Sequence, residues 1–75
     1  MPTTQTPSEY AAAEVRAELA RRKIPQSGLV LVLGMGEVSV SRRLRGETPL
    51  DVNELVAIAD FLGMPVTRFL PRAAA

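Results

Sequence analysis

The side chains best equipped for chemistry lie in one short stretch, Glu37–Val38–Ser39–Val40–Ser41–Arg42–Arg43–Leu44–Arg45. A guanidinium is a planar fork of donors, and it pairs bidentately with a carboxylate, a phosphate or the O6/N7 edge of guanine. A carboxylate such as that of Glu37 can accept from cytosine N4, and a valine such as Val38 can touch a thymine methyl. This is recognition chemistry, with no bond made or broken. The chain contains no cysteine and no histidine, which removes disulfides, thiolate metal sites and the commonest general base. No nucleophile–base pair is recognisable either. An enzyme, a cofactor, a metal site and a small-molecule substrate are therefore not expected.

The stretch needs a scaffold to present it. Val40 and Leu44 are four apart and share one helical face, while Glu37, Val38, Ser41, Arg42 and Arg45 fall largely on the other. Gly34 can end a preceding helix in the left-handed conformation, and Gly36 can open the next one, although Ser or Thr would cap it better. The preceding helix is placed at Gln26–Leu33, with Pro25 suited to its first position. The run Leu29–Val30–Leu31–Val32–Leu33 also suits a strand, and with Gly34–Met35–Gly36 it imitates the start of a nucleotide-binding unit. That fingerprint needs a third glycine and a whole βαβ layout, which are missing, so helix is the better reading. It turns Leu29, Val30 and Leu33 inward and leaves Leu31 and Val32 outside. Two short helices joined by a glycine turn form the helix-turn-helix pattern, whose second helix enters the DNA major groove.

The flanking segments read as helices too. Met1–Pro7 is rich in Thr and Pro and reads as a disordered arm. Ser8 is the candidate cap of a first helix from about Glu9 to Arg22, with Ala11, Ala12, Val15 and Leu19 along one side. Glu47–Leu50 is a loop. Asp51 and Glu54 have capping-box spacing at the head of a helix from Val52 to Leu62, where Leu55, Ile58, Ala59 and Leu62 follow the i, i+3, i+4, i+7 pattern. Gly63 ends it. Pro65 opens a short fifth helix in which Val66, Phe69 and Leu70 can pack back, Pro71 stops it, and residues 72–75 form a tail. The expected class is all-α: a compact five-helix domain over residues 8–71.

At 75 residues there is room for one small domain, which buries only about 60% of its extended-chain surface. Net charge is +1, so the distribution of charge matters more than its sum. Arg42, Arg43 and Arg45 cluster against one nearby acid, Glu37. A second basic run, Arg21–Arg22–Lys23, suits a helix end. Met1–Pro7 lacks the apolar core of a signal peptide, and Leu29–Leu33 is far too short to span a bilayer. A cytoplasmic protein without membrane partners is the expectation.

The order and spacing resemble the lambda-repressor/Cro type of helix-turn-helix domain, over about Ala12 to Leu70. The matching pieces are Gln26, Leu29–x3–Leu33–Gly34, Val40–Ser41–Arg42–Arg43–Leu44–x–Gly46, and Leu50–Asp51–Val52–x–Glu54–Leu55–x2–Ile58–Ala59–x2–Leu62–Gly63–x–Pro65–Val66. The resemblance implies a transcriptional regulator of double-stranded DNA, such as a Cro-like protein or immunity repressor of a phage, working in the bacterial cytoplasm at the nucleoid. By position it implies base contacts from Glu37, Val38, Ser41 and Arg42. It implies phosphate contacts from Gln26, Ser39, Arg43, Arg45 and Thr48. Four of them have a plainer reading: Gln26 as a helix-start residue, Glu37 as a dipole partner, Val38 as core, Arg43 as a solvated charge. The chain departs from the pattern at Gly36, where a Ser/Thr cap is usual, and at Gly28, Leu31 and Val32, which replace polar residues.

Such domains commonly bind DNA as dimers, with two recognition helices one duplex turn apart. Two candidate dimer or partner surfaces compete: Phe69 and Leu70 in the fifth helix, and Leu31 and Val32 in the second. The alternative function keeps the fold and uses the apolar second helix to bind protein, as an antitoxin or accessory factor would.

Overall fold

The structure is a computed structural model and describes residues 5–71. The rest of the expected arm (residues 1–4) and the tail (72–75) lie outside the described residues. Helix α1 spans Pro7–Arg21, α2 Leu29–Leu33, α3 Glu37–Leu44 and α4 Val52–Leu62; 3-10 turns occupy Gln26–Gly28, running directly into α2, and Val66–Phe69. The all-α class is as expected, but the fifth helix is only a 3-10 turn. Leu70 beyond it is extended (φ −102°, ψ 138°), as favoured before a proline.

The start of α1 corrects the sequence reading. Thr6, not Ser8, is the N-cap: its Oγ1 accepts from Glu9 N–H at 3.1 Å, and its own N–H donates to Glu9 Oε1 at 2.8 Å. Pro7 then sits at the first helical position, where its missing N–H costs nothing. Asp51 and Glu54 form the expected capping box at α4, with Glu54 N–H donating to Asp51 Oδ1 at 2.7 Å.

The helix ends share one device. A residue in the left-handed region turns the chain, and at three of the four ends the next residue is apolar and packs against the core: Lys23–Ile24 after α1, Gly34–Met35 after α2 and Gly63–Met64 after α4. At α1 the Ile24 N–H reaches back to Leu19 O (2.9 Å) and the Lys23 N–H to Ala20 O (3.1 Å), the two bonds of a Schellman ending. Lys23 is the only non-glycine residue at positive φ (56°) among the described residues.

The core comprises Ala11, Ala12, Val15 and Leu19 of α1, Leu29 of α2, Val40 and Leu44 of α3, Leu50, the α4 residues Leu55, Ile58, Ala59 and Leu62, and Phe69. The apolar periodicity of α1, α3 and α4 therefore points inward as expected. Val32 corrects the α2 reading. It lies three residues after Leu29, on the same face, and packs against the core with Val30 and Leu33; only Leu31 faces away, 93% exposed. Phe69 is also corrected: it is 1% exposed, a core residue and no dimer surface, because the last turn folds onto α1 and α4.

Two arginines tie the frame to α1. Arg16 donates to the carbonyl of Leu44, the last residue of α3. Arg22 donates to Leu62 O at 2.6 Å, the last residue of α4, and to Glu18 Oε1 at 3.1 Å. Both fill carbonyls that a helix end leaves without partners.

Candidate functional site

Helix α3 is held by its apolar edge. Val40 and Leu44 are buried at 1%, Gly34 (φ 65°) reverses the chain before it, and Arg16 fastens its last turn. Gly36 is the N-cap without a side-chain hydrogen bond. What remains outward is the sequence-predicted set. Glu37, Val38, Arg42 and Arg45 are exposed, and Ser39, Ser41 and Arg43 are half-buried. Val38 is 64% exposed, so the reading of Val38 as core is excluded. A groove of about 250 Å³ is lined by Gln26, Ser27, Glu37, Val40 and Ser41. The turn before α2 and the head of α3 thus meet. Gln26 is exposed beside the α3 face; Thr48 is half-buried, its N–H donating to Arg42 O at 3.3 Å.

The arginines differ sharply in their surroundings. Arg43 Nε lies 3.1 Å from Oε2 and 3.2 Å from Oε1 of Glu54, and its Nη1 donates to Ser39 O at 3.2 Å. Arg45 Nε donates to Glu47 Oε2 at 2.7 Å, and its Nη1 to Ser41 Oγ at 2.9 Å. The hydrogen bond from Arg45 holds the Glu47 carboxyl below the ordinary glutamate range, with the charges of Arg45 and Arg42 adding to it; the same bond raises the Arg45 guanidinium above its ordinary value. Arg42 makes no ion pair among the described residues. The expectation of three arginines facing a single acid, Glu37, is therefore corrected. Glu47 and Glu54 are the acids that matter, and Arg43 is an interhelical tie rather than a solvated charge. Ser27 on the groove and Glu47 on Arg45 were not singled out in the sequence. Their signals are local: Ser27 follows Gln26 directly, and the chain reversal at Gly46 (φ 83°) brings Glu47 back against the last turn of α3.

The arrangement can present one uncommitted guanidinium, a carboxylate, a hydroxyl and an apolar patch on a short convex helix. No helix among the described residues is long and apolar enough to cross a membrane.

Comparison with known proteins adds the fold. No protein-family model matches the chain, and no curated protein does. Among solved structures, the crystal structure of the DNA-binding domain of BldD is similar, with a TM-score of 0.73 and 25% sequence identity over 92% of this chain and 100% of that one. The helix-turn-helix arrangement of α2 and α3 is thus set in a known kind of helical domain.

Proposed function

We propose that this chain is a sequence-specific double-stranded DNA-binding transcriptional regulator that reads the major groove with α3. The observation that carries the reading is Arg42: exposed, on the face opposite Val40 and Leu44, and in no ion pair among the described residues. A guanidinium so placed is suited to guanine O6/N7, while Glu37, Val38 and Ser41 beside it are suited to cytosine N4, a thymine methyl and either base edge. Gln26, Ser39 and Thr48 flank this face as phosphate donors, which set register without reading sequence. The similarity to a structure titled as a DNA-binding domain supports the same reading. The sequence resemblance to the lambda-repressor/Cro type extends it to a phage Cro-like protein or immunity repressor, acting at the bacterial nucleoid, with dimerisation on DNA through a surface that includes Leu70.

The test is a titration of the flanking DNA of its own gene at several salt concentrations. Binding should weaken steeply with salt through counterion release, and Arg42→Ala should weaken specific binding by about 1–3 kcal/mol. Absence of any salt-dependent duplex binding would overturn the reading. A second reading, a protein-contact module of antitoxin or accessory-factor type, rests on Leu31, whose 93% exposure on an otherwise packed helix is unusual for a large aliphatic side chain. Co-purification with a partner that protects Leu31, with no DNA binding by the free chain, would favour it.

A further inference from the structure

We propose that Glu47 is a specificity-determining residue: its carboxylate occupies the guanidinium of Arg45 in place of a DNA phosphate and so suppresses sequence-independent binding. The inference rests on the DNA-binding reading above.

The geometry is that of a phosphate mimic. Glu47 meets Arg45 with both oxygens, Oε2 at 2.7 Å from Nε and Oε1 at 3.4 Å from Nη2, the parallel fork by which arginine also holds phosphate. The third nitrogen is committed too, with Nη1 2.9 Å from Ser41 Oγ. Arg45 is thereby laid along the outward face of α3, where Glu37, Val38, Ser41 and Arg45 line a second, shallower groove. Both side chains are 55% exposed, and a phosphate that takes the Nε–Nη2 edge of Arg45 must exchange with the carboxylate already in place there. Exchange costs the Arg45–Glu47 pair and brings Glu47 against the phosphate backbone. Non-specific binding is supplied almost wholly by phosphate neutralisation, so it bears that loss in full. Specific binding has base contacts to offset it. Two of the three arginines of this segment are held in this way, Arg43 by Glu54 and Arg45 by Glu47, and Arg42 is left for recognition.

The experiment is a salt titration of binding to a short duplex of random sequence, comparing the parent chain, Glu47→Gln, Arg45→Ala and the double variant. All are exposed changes away from the core. Glu47→Gln should tighten random-duplex binding several-fold at low salt and steepen the slope of log K against log salt by about 0.9, the value for one further phosphate. In the Arg45→Ala background the same change should have little effect, since its target is gone. Binding by the parent with no tightening in Glu47→Gln would overturn this inference alone. Equal tightening with and without Arg45 would do so too, because it would reduce Glu47 to a general charge effect. Failure of every variant to bind any duplex at low salt would overturn the DNA-binding reading, and the inference with it.

Discussion

Arg43 and Glu54 join the outward helix to the frame behind it: Arg43 Nε sits 3.1 and 3.2 Å from the two carboxylate oxygens of Glu54. The same carboxylate accepts from Asp51 N–H at 3.1 Å, closing the α4 capping box. One acid therefore fixes both the start of α4 and the orientation of α3. Glu54→Gln keeps a capping-box side chain and loses the ion pair; Glu54→Ala loses both. Urea unfolding should place Gln about 0.5 kcal/mol below the parent, within the range for a partly exposed pair, and Ala about 1–2 kcal/mol below once the cap contribution is added. Equal losses would show that the capping-box side chain contributes nothing, and a Gln variant as stable as the parent would show the same of the ion pair.

The N-cap of α3 can be improved. Gly36 has φ −73° and ψ 167°, extended values open to any residue, and an added Cβ would meet nothing within 4 Å. A serine hydroxyl there can accept from the N–H of Ser39. Gly36→Ser should stabilise the domain by about 0.5–1 kcal/mol, a few tenths from the cap and the rest from reduced freedom of the unfolded chain. A lower midpoint in thermal unfolding would mean that the turn between α2 and α3 relies on glycine here.

Much of this architecture was legible because its causes are local. Asp51 with Glu54, Gly34, Gly63 and the Leu55–Ile58–Ala59–Leu62 face each act within one or two helical turns. The start of α1 is local as well: Thr6–Pro7–Ser8–Glu9 carries capping-box spacing and a first-turn proline, and Ser8 competes only when Pro7 is read as a breaker. What escaped the sequence depends on distant partners. Whether Phe69 packs back or lies at a surface is decided by the last turn folding onto α1 and α4, and the tie of Arg43 to Glu54 crosses a loop. Arg16 on Leu44 O links positions 28 apart in sequence. At the candidate site the residue types on α3 could be read in advance, but which arginine is left without an acid could not.

Lys23 offers a test of strain. It turns α1 in the left-handed region (φ 56°), a conformation that costs an L-residue roughly 1–2 kcal/mol and glycine almost nothing. Lys23→Gly should raise stability by about 0.5–1 kcal/mol, the gain being reduced by the greater freedom of glycine in the unfolded chain. Chemical denaturation measures it directly. A loss instead would show that the Lys23 side chain makes a stabilising contact that outweighs its backbone.

The two apolar patches separate by their response to substitution. Phe69 is among the largest fully buried side chains, and Phe→Ala in a core costs about 3–5 kcal/mol. Total stability for a chain of this size is about 4–11 kcal/mol, so Phe69→Ala should remove a large share of it and lower the unfolding midpoint steeply. Any loss of self-association in that variant would report unfolding and not an interface. Leu31 is the opposite case. At 93% exposure it has almost no packing to lose, and Leu31→Lys should stay within about 0.5 kcal/mol of the parent. Sedimentation at micromolar concentration then tests the α2 surface alone. If Leu31 is a contact, Leu31→Lys should abolish association at unchanged stability, and Leu70→Ser, a change at a side chain 46% exposed on the opposite flank of the sequence, should identify the other surface in the same way. A Leu31→Lys variant destabilised by more than 1 kcal/mol would contradict the outward placement of Leu31 on α2.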